Sequence, residues 1–281
     1  MSVLAVSIIE QLESIRSAGG KRTTLGLPDE IIERFAGSDG DLVEAVEAAL
    51  EQLHAYRAEF PDFMAMDELD QVQTIQAGLV NFYAHDAVNP YVSLAARGPW
   101  IITTKGAVIH DNGGYGMLGF GHVPGPVLEA MSRPRVMANV MTPSPSQLRL
   151  VNALRLEIGR KRTDGCPFTH FLAMNSGSES VSVASRISDV NAKIMTDPGG
   201  LHAGKTVKKL SLKGGFHGRT GRPAQFSDST RASYRAHLAT FRGQEDLITV
   251  PPNDVDALRR AFAEAEAKDV FIEAIFMEPV M

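Results

Sequence analysis

Two runs of residues have the composition of a ligand cradle. Asn175-Ser176-Gly177-Ser178-Glu179 stands where a predicted strand gives way to a predicted helix. Gly177 lets the backbone approach closely and Ser178 offers a hydroxyl. The helix N-terminus adds unpaired N–H groups at the positive end of its dipole, so a phosphate would be well held there. Lys213-Gly214-Gly215-Phe216-His217-Gly218-Arg219 follows the next predicted strand. Its glycines free the backbone to present Phe216 and His217, one of which could stack on a heteroaromatic ring. Together the runs describe a site for a flat, phosphorylated cofactor. Each also has a plainer reading on its own: an Asn/Ser/Gly connection with a Ser cap, and a core phenylalanine beside a surface histidine. No Gly-Lys-Ser/Thr follows the first run, so it is not a Walker loop.

Two further features carry potential chemistry. The stretch from Asp111 to His122 is too rich in glycine for a packed element, and it could line a substrate pocket or serve as a plain connection. Glu278 ends the last apolar run and precedes Pro279, which puts a carboxylate at a strand mouth, where solvation is the plainer reading. A metal site built on His110, His122 and His217 is not expected, because no His or carboxylate neighbour lies at helical spacing.

The elements that must position these runs follow from periodicity. Residues 1–89 read as a helical N-terminal extension: helices from Val3 to Ser17, from Pro28 onward, from Asp41 to Tyr56 and from Asp67 to Tyr83. Leu42, Val43, Val46, Ala49, Leu50 and Leu53 keep a helical stripe. Asp41 with Glu44 is a weak capping-box signal, and Gly37 falls at a C-cap position. Residues 90–145 form a second segment with a hairpin, Trp100 to Thr104 and Ala107 to His110 about a Lys105-Gly106 turn, then a helix from Pro124 to Met131. From about 146 to 281 strands and helices alternate. A helix from Ser146 to Arg162 should turn Leu148, Val151, Leu154, Leu156 and Ile158 mostly inward. Strands are predicted over Phe168–Met174, Val207–Leu212, Leu247–Val250 and Phe271–Met277. Helices are predicted over Gly177–Ala192, Thr230–Phe241 and Val255–Ala267. This alternation predicts an α/β domain with a largely parallel sheet.

Bulk properties bound the function. The 281 residues are 44% hydrophobic, enough for one large core or two smaller ones. Lys and Arg number 28 against 33 Asp and Glu, a net charge of −5, which gives nucleic acid or an anionic membrane no electrostatic purchase. Cys166 is the sole cysteine, so no disulfide forms within these residues and a reducing cytoplasm is expected. The apolar start lacks a basic flank and a cleavage site, and we expect a buried helix there.

Read in order, the runs resemble the class III (ornithine/ω-type) aminotransferases, pyridoxal 5'-phosphate enzymes of fold type I, over roughly residues 90–281. The resemblance rests on Asp111 through Gly121-His122-Val123-Pro124, on Asn175 to Glu179, on Phe216-His217-Gly218-Arg219-Thr220 and on Phe276-Met277-Glu278-Pro279-Val280. It implies an α/β fold of which this chain holds part of the small domain and the first half of the cofactor domain. It further implies that Gly177 and Ser178 hold the cofactor phosphate, that Phe216 stacks on its ring with His217 beside it, that Glu278 stands behind the ring, and that Gly114 and Tyr115 border the substrate. The family's cofactor-bonding lysine and ring-nitrogen aspartate lie beyond the Glu-Pro-Val run, so no catalytic residue is assigned within residues 1–281, and Lys213 is not expected to replace that lysine. Ser180 stands where the family usually has a smaller residue. Arg219, Arg222, Arg231 and Arg235 are candidate contacts for a substrate carboxylate, with solvated surface arginines as the plainer reading. The family's partners are an amino donor, a 2-oxo acid and a second subunit in a homodimer. A noncatalytic interaction protein derived from the fold, or an unrelated phosphate-binding α/β enzyme, stays open.

Overall fold

A computed structural model describes residues 7–80, 87–112, 119–136 and 141–280. The chain divides into two units, residues 1–139 and 140–281, each with its own packing.

The first unit is a helical layer over a small antiparallel sheet. α1 (Ile8–Arg16) begins at a capping box in which the Ser7 hydroxyl accepts from the Glu10 N–H (3.1 Å) and Glu10 accepts from the Ser7 N–H (2.8 Å). α2 (Asp29–Ala36) follows, and α3 (Gly40–Glu59) is capped by Asp39, not by Asp41. α4 (Pro61–Ala65) is a short turn that periodicity did not predict, and α5 (Glu68–Gln76) is shorter than expected. The sheet contains β1 (Ser93–Arg97), β2 (Trp100–Thr103) and β3 (Val108–His110) in sequential antiparallel order, then α6 (Gly125–Ser132). The predicted hairpin is β2–β3, while β1 went unpredicted because Ser-Leu-Ala-Ala-Arg has little strand propensity of its own. Leu42, Ala45, Val46, Ala49 and Leu53 of α3 pack into one core with Leu94, Trp100, Ile102 and Val108 of the sheet.

Two polar devices lock this core. One carboxylate oxygen of Asp39 caps α3 and the other accepts from Trp100 Nε1 at 2.8 Å. Lys105, 1% exposed in the hairpin turn, donates its ammonium to the carbonyls of Gly19 (2.7 Å), Met64 (3.2 Å) and Met66 (2.6 Å). Three donors meet three acceptors, which is how a buried lysine is tolerated although burial pushes its pKa down.

The second unit is a three-stranded parallel sheet with helices. After α7 (Pro145–Gly159) and α8 (Gly177–Thr196) come β4 (Thr206–Leu212), the one-turn α9 (Gly221–Ala224), α10 (Asp228–His237), β5 (Leu247–Val250), α11 (Val255–Ala267) and β6 (Val270–Phe276). The strand order is β5-β4-β6 with both pairings parallel, as the alternation predicted. Two expectations fail here. Residues 168–174 form no strand: β4 has β5 on one edge and β6 on the other, and no ladder pairs with this run. Nor does α7 turn its stripe inward: it has no buried side chain, and Leu156 is 70% exposed. An apolar stripe is buried only where another apolar surface meets it. No helix among the described residues is long and apolar enough to cross a membrane.

Candidate functional site

Both cradle runs lie in the second unit, and the fold joins them. Ser176 is the N-cap of α8: its hydroxyl accepts from the Glu179 N–H (3.2 Å), and Glu179 reaches back to the Asn175 N–H (3.0 Å). This reciprocal cap fixes the first turn, in which Gly177 and Ser178 occupy the two leading positions. Among the described residues, and apart from its chain neighbours and its own helix backbone, no heavy atom lies within 4 Å of where a Cβ on Gly177 would stand, so the space beside this first turn is open.

The aromatic run leaves the end of β4, and its backbone is held at nearly every step. The Gly214 N–H donates to Asp228 Oδ2 (2.8 Å), the Phe216 N–H to Glu278 Oε1 (3.2 Å), the His217 N–H to the Ser227 hydroxyl (2.8 Å) and the Arg219 N–H to the Ser178 hydroxyl (3.3 Å). The last bond ties the loop to the helix N-terminus. Gly218 makes that approach possible: its φ is 122°, and a Cβ there would sit 2.6 Å from Ser178 Oγ.

Phe216 is 41% exposed with the Arg219 guanidinium 5.4 Å from its ring centroid, so it is not the buried core residue of the plainer reading. His217 packs edge-on against Phe276 with centroids 5.8 Å apart. Burial pushes its pKa below the usual histidine value while Glu278 pulls the other way, so the imidazole is neutral at pH 7. Its Nε2 is buried without a partner among the described residues. The corner therefore offers a helix N-terminus, a serine hydroxyl, an exposed aromatic face and a neutral imidazole, with Glu278 anchoring the loop from the end of β6. This arrangement suits an anion joined to a flat ring.

Gly114 and Tyr115 lie outside the described residues. Of the flanking stretch, Asp111 pairs with His122 Nε2 at 3.0 Å in the first unit. Three of the candidate arginines are committed to the protein itself. Arg222 bridges Asp189 and Glu273, Arg231 donates to the carbonyls of Leu247 and Gln244, and Arg235 donates to that of Gln244. Lys213 extends the β4 edge through its N–H to Val250. Sequence reasoning missed Ser227 and Asp228. Their signal was the Ser-Asp pair just ahead of the predicted Thr230–Phe241 helix, whose side chains turn back to hold the loop.

No protein-family model matches the sequence, and no curated protein matches it. Solved structures do match. An ornithine aminotransferase from Toxoplasma gondii ME49 superposes with a TM-score of 0.59 at 16% identity, covering 80% of this chain and 49% of that one. The acetylornithine aminotransferase of Elizabethkingia anophelis gives 0.51 at 20%, with 76% and 47% covered. A taurine:2-oxoglutarate aminotransferase from Bifidobacterium kashiwanohense, solved with PLP and glutamate, gives 0.52 at 14%, with 76% and 48% covered. The chain thus spans about half the length of the structures it matches. At this identity the likeness speaks for the fold alone, and the fold is the one these pyridoxal-phosphate aminotransferases share, over about half of their length.

Proposed function

We propose that residues 1–281 supply the phosphate and ring side of the cofactor site in a pyridoxal 5'-phosphate-dependent aminotransferase, which moves an amino group between an amine or amino acid and a 2-oxo acid. One observation carries this reading: the Ser178 hydroxyl accepts from Arg219 and so sets the α8 N-terminus and the exposed Phe216 ring at one corner. The residues present fit the cofactor. Open space lies beside Gly177, the helix end favours a dianion, and an aromatic face stands beside it.

When bound, pyridoxal phosphate supplies the electron sink for breaking bonds at the substrate's α-carbon. The chain's own residues orient it. The first turn of α8 and Ser178 bind the phosphate, and Phe216 fixes the plane of the ring. Neutral His217 keeps a second positive charge away from the ring, and Glu278 holds the loop by its Phe216 N–H. The family's lysine and ring-nitrogen acid are not among these residues. Residues 1–281 alone therefore bind cofactor without turning over an amino donor. The same reading places the protein in the cytoplasm as a homodimer with small-molecule partners, Gly114 and Tyr115 bordering the substrate, and no part for nucleic acid or membrane.

Titration of the purified chain with pyridoxal phosphate, followed by cofactor absorbance, tests the reading. Gly177→Asp sets a carboxylate where the phosphate would lie and should weaken binding at least roughly tenfold, about 1.4 kcal/mol. Borohydride should fix no cofactor on the chain. Equal binding by Gly177→Asp, or heat protection by a nucleotide and not by pyridoxal phosphate, would overturn it.

A further inference from the structure

Arg222 lies in α9, directly after the aromatic run, and its guanidinium reaches two other elements at once. Nη1 is 3.2 Å from Asp189 Oδ2 on α8, and Nη2 is 3.1 Å from Glu273 Oε1 on β6. The Arg222 side chain is 28% exposed, while the Glu273 side chain is 1% exposed. These are the three pieces of the cradle. α8 begins with Gly177 and Ser178, roughly three turns before Asp189. The loop holding Phe216 and Gly218 runs into α9, and Glu278 follows two residues after the end of β6, the strand that carries Glu273.

We propose that Arg222 is a positioning residue: by joining Asp189 to Glu273 it holds the α8 N-terminus, the Phe216 loop and the β6 end at fixed spacing. This rests on the cofactor reading above and names a residue that reading does not need. The planar fork of an arginine suits it, since one rigid group presents donors in two directions, whereas a lysine ammonium is a point charge on a flexible stem. The bond to Glu273 is strongly directional because burial leaves that carboxylate little water. Burial pushes its pKa up, and Arg222, followed by Lys209, opposes the rise. A buried carboxylate held this way resists any shift of α9 that would leave it unpaired. Direct bonds span the loop as well, from Arg219 to Ser178 and from Phe216 to Glu278, but both involve single backbone N–H groups at the exposed corner. Arg222 braces the same three elements from behind.

The test separates bracing from general stability. Arg222→Met combined with Glu273→Leu removes the buried carboxylate together with its partner charge and leaves the exposed Asp189 in water, an exchange that buried ion pairs often tolerate. The double variant should melt close to the parent chain. Without cofactor, its amides over residues 176–179 and 216–220 should exchange about tenfold faster, with those of α11 unchanged. Its affinity for pyridoxal phosphate should fall by roughly tenfold, the expected scale for a loosened site. Arg222→Lys, which keeps the charge but loses the fork, should show the same pattern in smaller degree and serves if the double variant fails to fold. Unchanged exchange at both segments would overturn the proposal whether or not cofactor binds. Absence of cofactor binding by the parent chain would sink the functional reading instead, and the exchange data would still decide the brace.

Discussion

The two units satisfy their apolar residues very differently. In the first, α1 to α4 and the three strands close over one continuous core from Leu12 to Val108, though α6 buries nothing, and the buried lysine of that core has three carbonyl partners. In the second, α7 buries nothing, and Leu148, Leu156, Phe168, Leu172, Ile187 and Ile194 stand exposed around a three-stranded sheet. These apolar side chains meet no covering surface among the described residues. The contrast separates two things that an apolar pattern encodes: which element forms, and whether that element finds something to pack against.

The largest expected effect would break the contrast if it failed. Ile102→Ala removes a fully buried side chain from the first core and should cost about 2–5 kcal/mol, while Leu156→Ala on α7 should stay within roughly 0.5 kcal/mol. Trp100, the only tryptophan, is buried in the first unit, so its fluorescence follows that unit's unfolding in urea. Circular dichroism reports on both units. Comparable losses for the two substitutions would mean that the second unit is packed as tightly as the first.

Next in size is Lys105→Met. It keeps the apolar stem but leaves the carbonyls of Gly19, Met64 and Met66 without their shared donor, so the first unit should lose about 2–3 kcal/mol. A loss below about 0.5 kcal/mol in the same urea titration would show that desolvation of the ammonium cancels its bonds.

Much of this was legible in the sequence, for reasons that track the same contrast. β5 and α11 fall at the predicted residues, because short β-branched runs and an uninterrupted alanine-rich stripe carry their own element type. β1 and the inward face of α7 were misjudged because both depend on neighbours. β1 becomes a strand by pairing with β2, and a helix stripe becomes core only under a cover. At the candidate site the motif residues Gly177, Ser178, Phe216, His217 and Glu278 do converge, since each stands at the end of a predicted strand or the start of a predicted helix. Arg222 was illegible as a brace because its partners lie on elements far along the chain, and no spacing rule links position 222 to 189 or 273; Ser227 meets a loop only about ten residues away, but no regular element fixes that return.

Gly218→Ala sharpens the comparison from the loosely covered unit. A methyl at φ 122° would meet Ser178 Oγ at 2.6 Å, so the loop or the helix end must shift, at a cost of about 1–3 kcal/mol. The thermal midpoint of the second unit should fall while Trp100 fluorescence reports an unchanged first unit. If both units responded together, they would not be thermodynamically separate.

The smallest effect concerns His217 and has a definite sign. Burial holds its folded pKa below the unfolded value near 6.5, so the folded state binds fewer protons than the unfolded chain in that range. The stability contribution of neutral His217 is fully present above about pH 6.5 and is lost as pH falls through the lower, folded pKa. His217→Gln cannot titrate, so its second unit should melt with a shallower decline than the parent between about pH 6.5 and pH 5. Lys105 also has a depressed pKa, but its window lies on the alkaline side, below the ordinary lysine value, so acid does not engage it. An acid-dependent loss of the same slope in His217→Gln would assign the titration to another group. A loss reported by Trp100 would place that group in the first unit.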